Sequence, residues 1–398
     1  MVNQTDRAGD ASLGARKRQR VHHLDWLRVA AVFGVFLFHA IHPFDEFEWH
    51  VKNAEQSSVI SFLIVVLFPW GLGFFFLISG ASSFLALRFR STSAYVRERL
   101  QRLLVPFVVG WLVLSPVQAF IELRHKGQWQ GGFLSFVPHF FSPNGEAALQ
   151  LRLRPLPLGW SYHLWFLVFL LWFSLLGLPL FLALRRSNHR FVDWLAERSG
   201  WRGSTLLFAV PVALAHIAVR AASPDEHEWG EFAYYFAFFV VGYLLVSDER
   251  LIGAVRRDLV PAVVLAVVGG GIFLALNPVE WVEQWSELPR YSWTYVVMFS
   301  MFSIQAWGWA LAAFSIGLRL KTLSRPLPQT IGSRAMPFFV LHQPVILAFA
   351  YFIVGMSAGI PLKLTAVLLP SFVVTALLSV GAETAPGIRS LLGSKPRP

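Results

Sequence analysis

The sequence predicts an all-α fold: a polytopic bundle of about ten transmembrane helices with both termini cytoplasmic. Three observations carry this. Of 398 residues, 55% are hydrophobic and 14% charged, against roughly 25% charged in soluble chains, and mean hydropathy is +0.54. Several apolar runs reach the roughly 20 residues that a helix needs to cross a bilayer. Basic residues alternate between the two sides, loop after loop.

The runs place spans near residues 24–43, 59–84, 103–121, 163–184, 204–222, 232–247, 259–277, 292–318, 336–355 and 360–381. The tail before the first holds Arg16, Lys17, Arg18 and Arg20; the loop after the second holds Arg88, Arg90, Arg97, Arg99 and Arg102; the loop after the fourth holds Arg185, Arg186, Arg190, Arg198 and Arg202. Counted over all loops and tails, 26 of the 34 basic residues fall on this side and 8 on the other. Acidic clusters at Asp45, Glu46 and Glu48, at Asp225, Glu226, Glu228 and Glu231, and at Glu280, Glu283 and Glu287 fall opposite. The basic side is therefore expected to be cytoplasmic.

Residues 1–20 are expected to form a disordered tail, 21–381 a single transmembrane domain, and 382–398 a second cytoplasmic tail. The longest connection, from about Glu122 to Tyr162, is rich in Phe, Trp, Gly and Pro. A structureless loop of that length is uncommon, so short interfacial helices or a lid are expected there. The chain has no cysteine, which excludes disulfides and thiolate chemistry. A net charge of +11 and a pI near 10.3 would also suit a nucleic-acid binder. Here the positive charge follows the cytoplasmic loops, so the expected partner is the lipid bilayer and not nucleic acid.

The first span carries ionisable groups at depths where lipid makes them costly: Asp25, Arg28 and His39. Arg28 and His39 are eleven residues apart, about 16 Å along a helix. Arg28 thus falls near one face and His39 past the midplane. Imidazole titrates near neutrality and can take and return a hydroxyl proton; an interhelical hydrogen bond is the other use of His39. For Arg28, snorkelling beside Asp25 is the plainer use. Arg99 and Arg102 are three apart and expected on one helical face, where two guanidinium forks can clamp phosphate or simply anchor the loop. Ser79, in Phe74-Phe75-Phe76-Leu77-Ile78-Ser79-Gly80, suits helix packing or a bond between helices. Trp160 and His163 enter the fourth span from outside, and His342 stands two residues before Pro344 in the ninth. No Gly-rich phosphate loop, nucleophile elbow or zinc spacing is present, and no metal site is expected.

Together these pieces resemble the acyltransferase-3 family of integral membrane acyltransferases. The resemblance lies in Leu24-Asp25-Trp26-Leu27-Arg28 with Phe38-His39, the segment ending Ser79-Gly80, Arg99-x-x-Arg102-Leu-x-x-Pro106, Trp160 to Leu167, and His342-Gln343-Pro344. It covers essentially the whole chain. Phe47 to Asn53 resembles the branch of glucan biosynthesis membrane proteins, which are similar to succinyl transferases. The resemblance implies acyl transfer from a cytoplasmic acyl-CoA to a hydroxyl of a glycan or other acceptor outside, in a bacterial inner membrane. No permanently bound cofactor is implied; acyl-CoA is a co-substrate. His39 matches the family's essential histidine, Arg28 its first-helix arginine, and Arg99 with Arg102 its paired-arginine motif. Asp25, Ser79, Trp160, His163 and His342 take supporting places. Acetyl and succinyl donors both fit, as do direct transfer and an acyl-histidine intermediate. A proton-coupled transporter is the competing class.

Overall fold

A computed structural model describes residues 4–145, 162–186, 190–223, 228–276, 288–320 and 328–394. Their regular structure is helical, without a strand among the described residues. In chain order the helices are α1 (Gln4–Ile41), α2 (Ser58–Phe89), α3 (Thr92–Arg99), α4 (Val105–Val113), α5 (Ser115–His125), α6 (Phe133–Phe140), α7 (Trp165–Arg186) and α8 (Arg190–Arg198). They continue with α9 (Ala209–Arg220), α10 (Trp229–Leu245), α11 (Glu249–Arg257), α12 (Leu259–Leu276), α13 (Trp293–Arg319), α14 (Gln329–Ile353), α15 (Ile360–Thr384) and α16 (Pro386–Leu391).

Among the described residues, six helices are long and apolar enough to cross a membrane: His23–Phe44, Ser58–Phe89, Tyr162–Arg186, Trp293–Arg319, Thr330–Ile353 and Ile360–Thr384. Two bent pairs, Thr92–Val113 with Ser115–His125 and Trp229–Leu245 with Glu249–Arg257, raise this to eight if each counts as one span. Ser204–Arg220 and Leu259–Ala275 are shorter apolar helices. Each run read from the sequence overlaps helix among the described residues, but six, or eight with the bent pairs, and not ten, are long and apolar enough to cross a membrane.

α2 is the hub, packing against α1, α10 and α13. Its crossing with α10 is set by two glycines. A Cβ on Gly80 would collide with Phe239 O, and one on Gly242 with Leu77 O, so small residues are what let these backbones touch. Phe76, Phe166, Phe173, Phe238 and Phe239 fill the core around that crossing. α15 turns Leu362, Leu369, Val373 and Leu377 outward, the pattern of a helix at the lipid boundary. α1 lies between α2 and α14, and so carries Arg28 and His39 along the seam of the bundle.

Three features differ from the sequence reading or add to it. Helix α1 begins at Gln4, within the segment expected to be a disordered tail. The C-terminal segment is docked as far as Ser394: Leu392 and Ser394 are buried, and Gly393 O accepts from Arg102 Nε at 3.1 Å. Pro337 explains part of this, because it removes the N–H that Ser333 O would meet in a helix. Ser394 Oγ donates to that carbonyl at 3.2 Å. Third, Arg99 and Arg102 do not share an α-helical face. A π-turn at Leu100–Leu104, closed by Val105 N–H to Leu100 O, lies between them and changes their relative bearing. Within the long connection, α6 packs on α5, burying Phe136 and Phe140 with Ala119 and Tyr162. Residues 146–161, with Trp160, lie outside the described residues.

Candidate active site

The two ends of the apolar segment His23–Phe44 carry different chemistry. At its arginine end, Arg28 Nη1 pairs with Asp25 Oδ1 at 2.8 Å and Nη2 donates to Ser82 Oγ at 2.8 Å. Ser82 is held by its own bond to Ile78 O at 2.8 Å. Arg99 Nη2 donates to Ser83 Oγ at 3.2 Å, and its guanidinium stands 4.8 Å from the Tyr95 ring centroid. Tyr95 is buried and donates to the same Ser83 at 3.1 Å. Arg102 faces Glu98 Oε1 at 3.5 Å besides Gly393. Arg102 lies within the fields of Arg28, Arg99 and Arg90 and of the carboxylate of Asp25. Asp25 and Glu98 are the ion-pair partners of these arginines among the described residues, and Arg99 Nε is buried with no hydrogen-bond partner among them. A cationic cluster so under-neutralised suits a polyanion.

Ser79, by contrast, spends its hydroxyl on Phe75 O at 2.9 Å within its own helix. The serines that meet the arginines are Ser82 and Ser83. They lie one turn further along α2, on the same side, but nothing in the local sequence marks them.

The other end is a histidine cluster assembled from three elements. His39 Nδ1 lies 2.8 Å from Val35 O and 3.2 Å from His342 Nε2. His342 Nδ1 lies 2.5 Å from Phe339 O. Carbonyl oxygens only accept, so both Nδ1 atoms carry protons. His342 Nε2 then holds a lone pair facing the N–H of His39, and His39 Nε2 holds the remaining lone pair. That is the tautomer of a general base oriented by a neighbour. His342 is 1% exposed, whereas His39 keeps part of its surface accessible. The His163 ring lies 4.9 Å from His342, centroid to centroid, and His342 5.0 Å from His39.

A polar rim closes this end. His42 stacks on Trp49 at 5.5 Å and lies 2.5 Å from Asp45 Oδ2. Lys52 Nζ bonds Asp45 Oδ1 at 2.7 Å and His42 O at 2.9 Å. Burial holds its ammonium below the ordinary lysine value, against the opposing pull of Asp45. His50 Nδ1 meets Glu122 Oε2 at 2.8 Å, and Tyr162 donates to the same oxygen at 3.4 Å. Lys363, nearly buried in α15, donates to Asn53 Oδ1 at 2.9 Å and Val354 O at 2.8 Å. Sequence reading missed Glu122 and Lys363 as parts of this rim; their partners come from segments far away along the chain.

The fold and these two clusters define a multi-pass helical membrane protein with guanidinium groups at one end of a seam and imidazoles towards the other. Residues 21–382 match the acyltransferase domain model of the acyltransferase-3 family, and the chain belongs to that family. No curated protein and no solved structure matches it.

Proposed function

We propose that this chain is a membrane O-acyltransferase moving an acetyl or succinyl group from cytoplasmic acyl-CoA to a hydroxyl of a cell-envelope glycan or another extracytoplasmic acceptor. The observation that carries this reading is the His39–His342 contact, which leaves His39 Nε2 as an oriented base on the helix that also holds Arg28. The branch resemblance around Trp49 favours succinyl transfer to a glucan in a bacterial inner membrane.

In this mechanism Arg28, Arg99 and Arg102 hold the phosphates of the donor, and the pantetheine arm carries the thioester along the seam. His39 Nε2 takes the proton of the acceptor hydroxyl as its oxygen attacks the thioester carbonyl. The tetrahedral intermediate collapses by breaking the C–S bond, and the CoA thiolate takes the proton back from the imidazolium. Val35 O and His342 Nε2 share the His39 Nδ1–H throughout and so keep Nε2 aimed. Transfer in two steps through an acyl-His39 needs the same lone pair.

The test is thiol release by protein in nanodiscs with acetyl-CoA or succinyl-CoA, with and without a cell-envelope glycan extract, beside His39→Ala. Release that requires both protein and glycan and disappears in a folded His39→Ala variant is expected. Near-normal release from that variant would remove His39 from the chemistry.

A further inference from the structure

His163 has one ring nitrogen accounted for and one that is not. Pro344 has no N–H, so Val340 O, four residues earlier, loses its helical partner. His163 Nε2 lies 2.9 Å from that carbonyl. Because the carbonyl only accepts, Nε2 carries the proton and Nδ1 the lone pair. The side chain is 4% exposed, and Nδ1 has no hydrogen-bond partner among the described residues. A buried acceptor left this way is costly and calls for a donor.

The backbone around it is unusual. Tyr162 has φ +52°, in the left-handed region that a bulky side chain rarely adopts. Its ring packs 4.9 Å from His50, and its hydroxyl reaches Glu122. The turn that seats Tyr162 in the rim thus delivers His163 to α14.

The carbonyl of Val340 fixes the orientation of the ring, so the free position at Nδ1 is a lone pair. A carboxylate or phosphate would set lone pair against lone pair there. Hydroxyls supply what is missing. We infer that His163 is a binding residue for the acyl acceptor: its Nδ1 takes a hydrogen bond from an acceptor hydroxyl and seats the acceptor beside His39. The inference rests on the acyltransferase reading and assigns one contact within it. A pantetheine amide N–H has the same donor chemistry, so donor and acceptor are measured separately.

Two variants divide the ring's functions. His163→Gln offers an amide N–H to Val340 O and no lone pair at the Nδ1 position. His163→Asn offers an oxygen near Nδ1 and leaves Val340 O unpartnered. Thiol release is followed against glycan extract at saturating acyl-CoA, and against acyl-CoA at saturating extract. For His163→Gln, an acceptor KM raised at least tenfold is expected, with donor KM and thermal midpoint unchanged. For His163→Asn, a lower thermal midpoint with acceptor KM near wild type is expected. An unchanged acceptor KM in a folded His163→Gln variant, or a rise confined to donor KM, overturns the inference. Binding of the extract without donor, followed by tryptophan fluorescence, is expected to weaken about tenfold in His163→Gln; equal binding also overturns it. Wild-type protein that binds the extract but releases no thiol would overturn the acyltransferase reading instead, and the binding comparison would still decide the role of His163.

Discussion

His342 Nε2 lies 3.2 Å from His39 Nδ1, although the two residues are 303 positions apart. The contact joins the helix that opens the bundle to one of the last. The Val35 carbonyl sets the His39 tautomer without a carboxylate, and the neutral His342 imidazole shares the same N–H as a second acceptor.

His342 is therefore expected to act on rate more than on binding. His342→Phe should lower kcat by about 10- to 100-fold, the size of one lost orienting hydrogen bond in a buried site. Donor KM should stay near wild type. A raised donor KM with unchanged kcat would place His342 in donor binding. His342→Gln, which restores an acceptor, should recover part of the loss.

At the arginine end the expected split is the reverse. Arg102→Ala should raise donor KM about tenfold or more, as loss of a charge-assisted contact does, with a smaller change in kcat. Arg102→Lys keeps the charge but not the fork and should fall between. An unchanged donor KM with a lower rate would mean that Arg102 acts through structure.

Gly393 has φ +75°, and a Cβ there would press on Arg102 O, Pro106 and Met336. Gly393→Val should therefore undock the C-terminal turn, since a left-handed conformation alone costs a side chain about 1–2 kcal/mol. Faster proteolytic trimming after Thr384 is the measurement. Equal protection in the variant would show that the turn tolerates a side chain.

The α2–α10 crossing makes a stability prediction. Gly80→Val places side-chain atoms where Phe239 O stands. Overpacking of this kind costs about 1–3 kcal/mol, and more where backbone must move. A lower thermal midpoint in detergent is expected, with lower folded yield. Gly71 has open space at its Cβ position, so Gly71→Ala should have little effect and serves as the control.

Acid stability has an assignable contributor at the turn between α11 and α12. Asp258 is fully buried. Burial alone would raise its carboxyl, but bonds from Arg257, Gly203 N and both groups of Thr205 outweigh it and hold the carboxyl below its ordinary value. A folded value below the unfolded one gives stability that is complete above the unfolded carboxylate range, near about pH 4. It is lost as pH falls through the lower folded value. Thermal midpoints of wild type and Asp258→Asn should differ by a constant amount from neutral pH to about pH 5 and converge below about pH 4. A gap that persists at low pH would trace the effect to the shape of the amide.

Much of the site was legible one residue at a time. Arg28 and His39 stand out because lipid makes such groups expensive, and a first span that keeps them must use them. His342 beside Pro344 and His163 at the head of a span were visible for the same reason. The links between them were not. Pro344 announces a freed carbonyl four residues back, but no local rule says that His163 will arrive to meet it. The one-face reading of Arg99 and Arg102 failed because it assumed an unbroken α-helix, and the π-turn at Leu100–Leu104 is closed by a bond that apolar periodicity does not report.

By itself the sequence determined which segments are helical and lipid-compatible, since run length and apolar composition are local properties that act on each segment alone. It also determined where ionisable groups sit along those helices. Tertiary structure alone decided which groups meet. His39 with His342, His163 with Val340 and Arg102 with Gly393 all depend on helix order and on rotation about each axis. Those are set by close crossings such as Gly80 against Phe239 and Gly242 against Leu77. Small-residue packing between helices distant in sequence is a pairwise property, and it fixes the angle at which every other side chain leaves its helix.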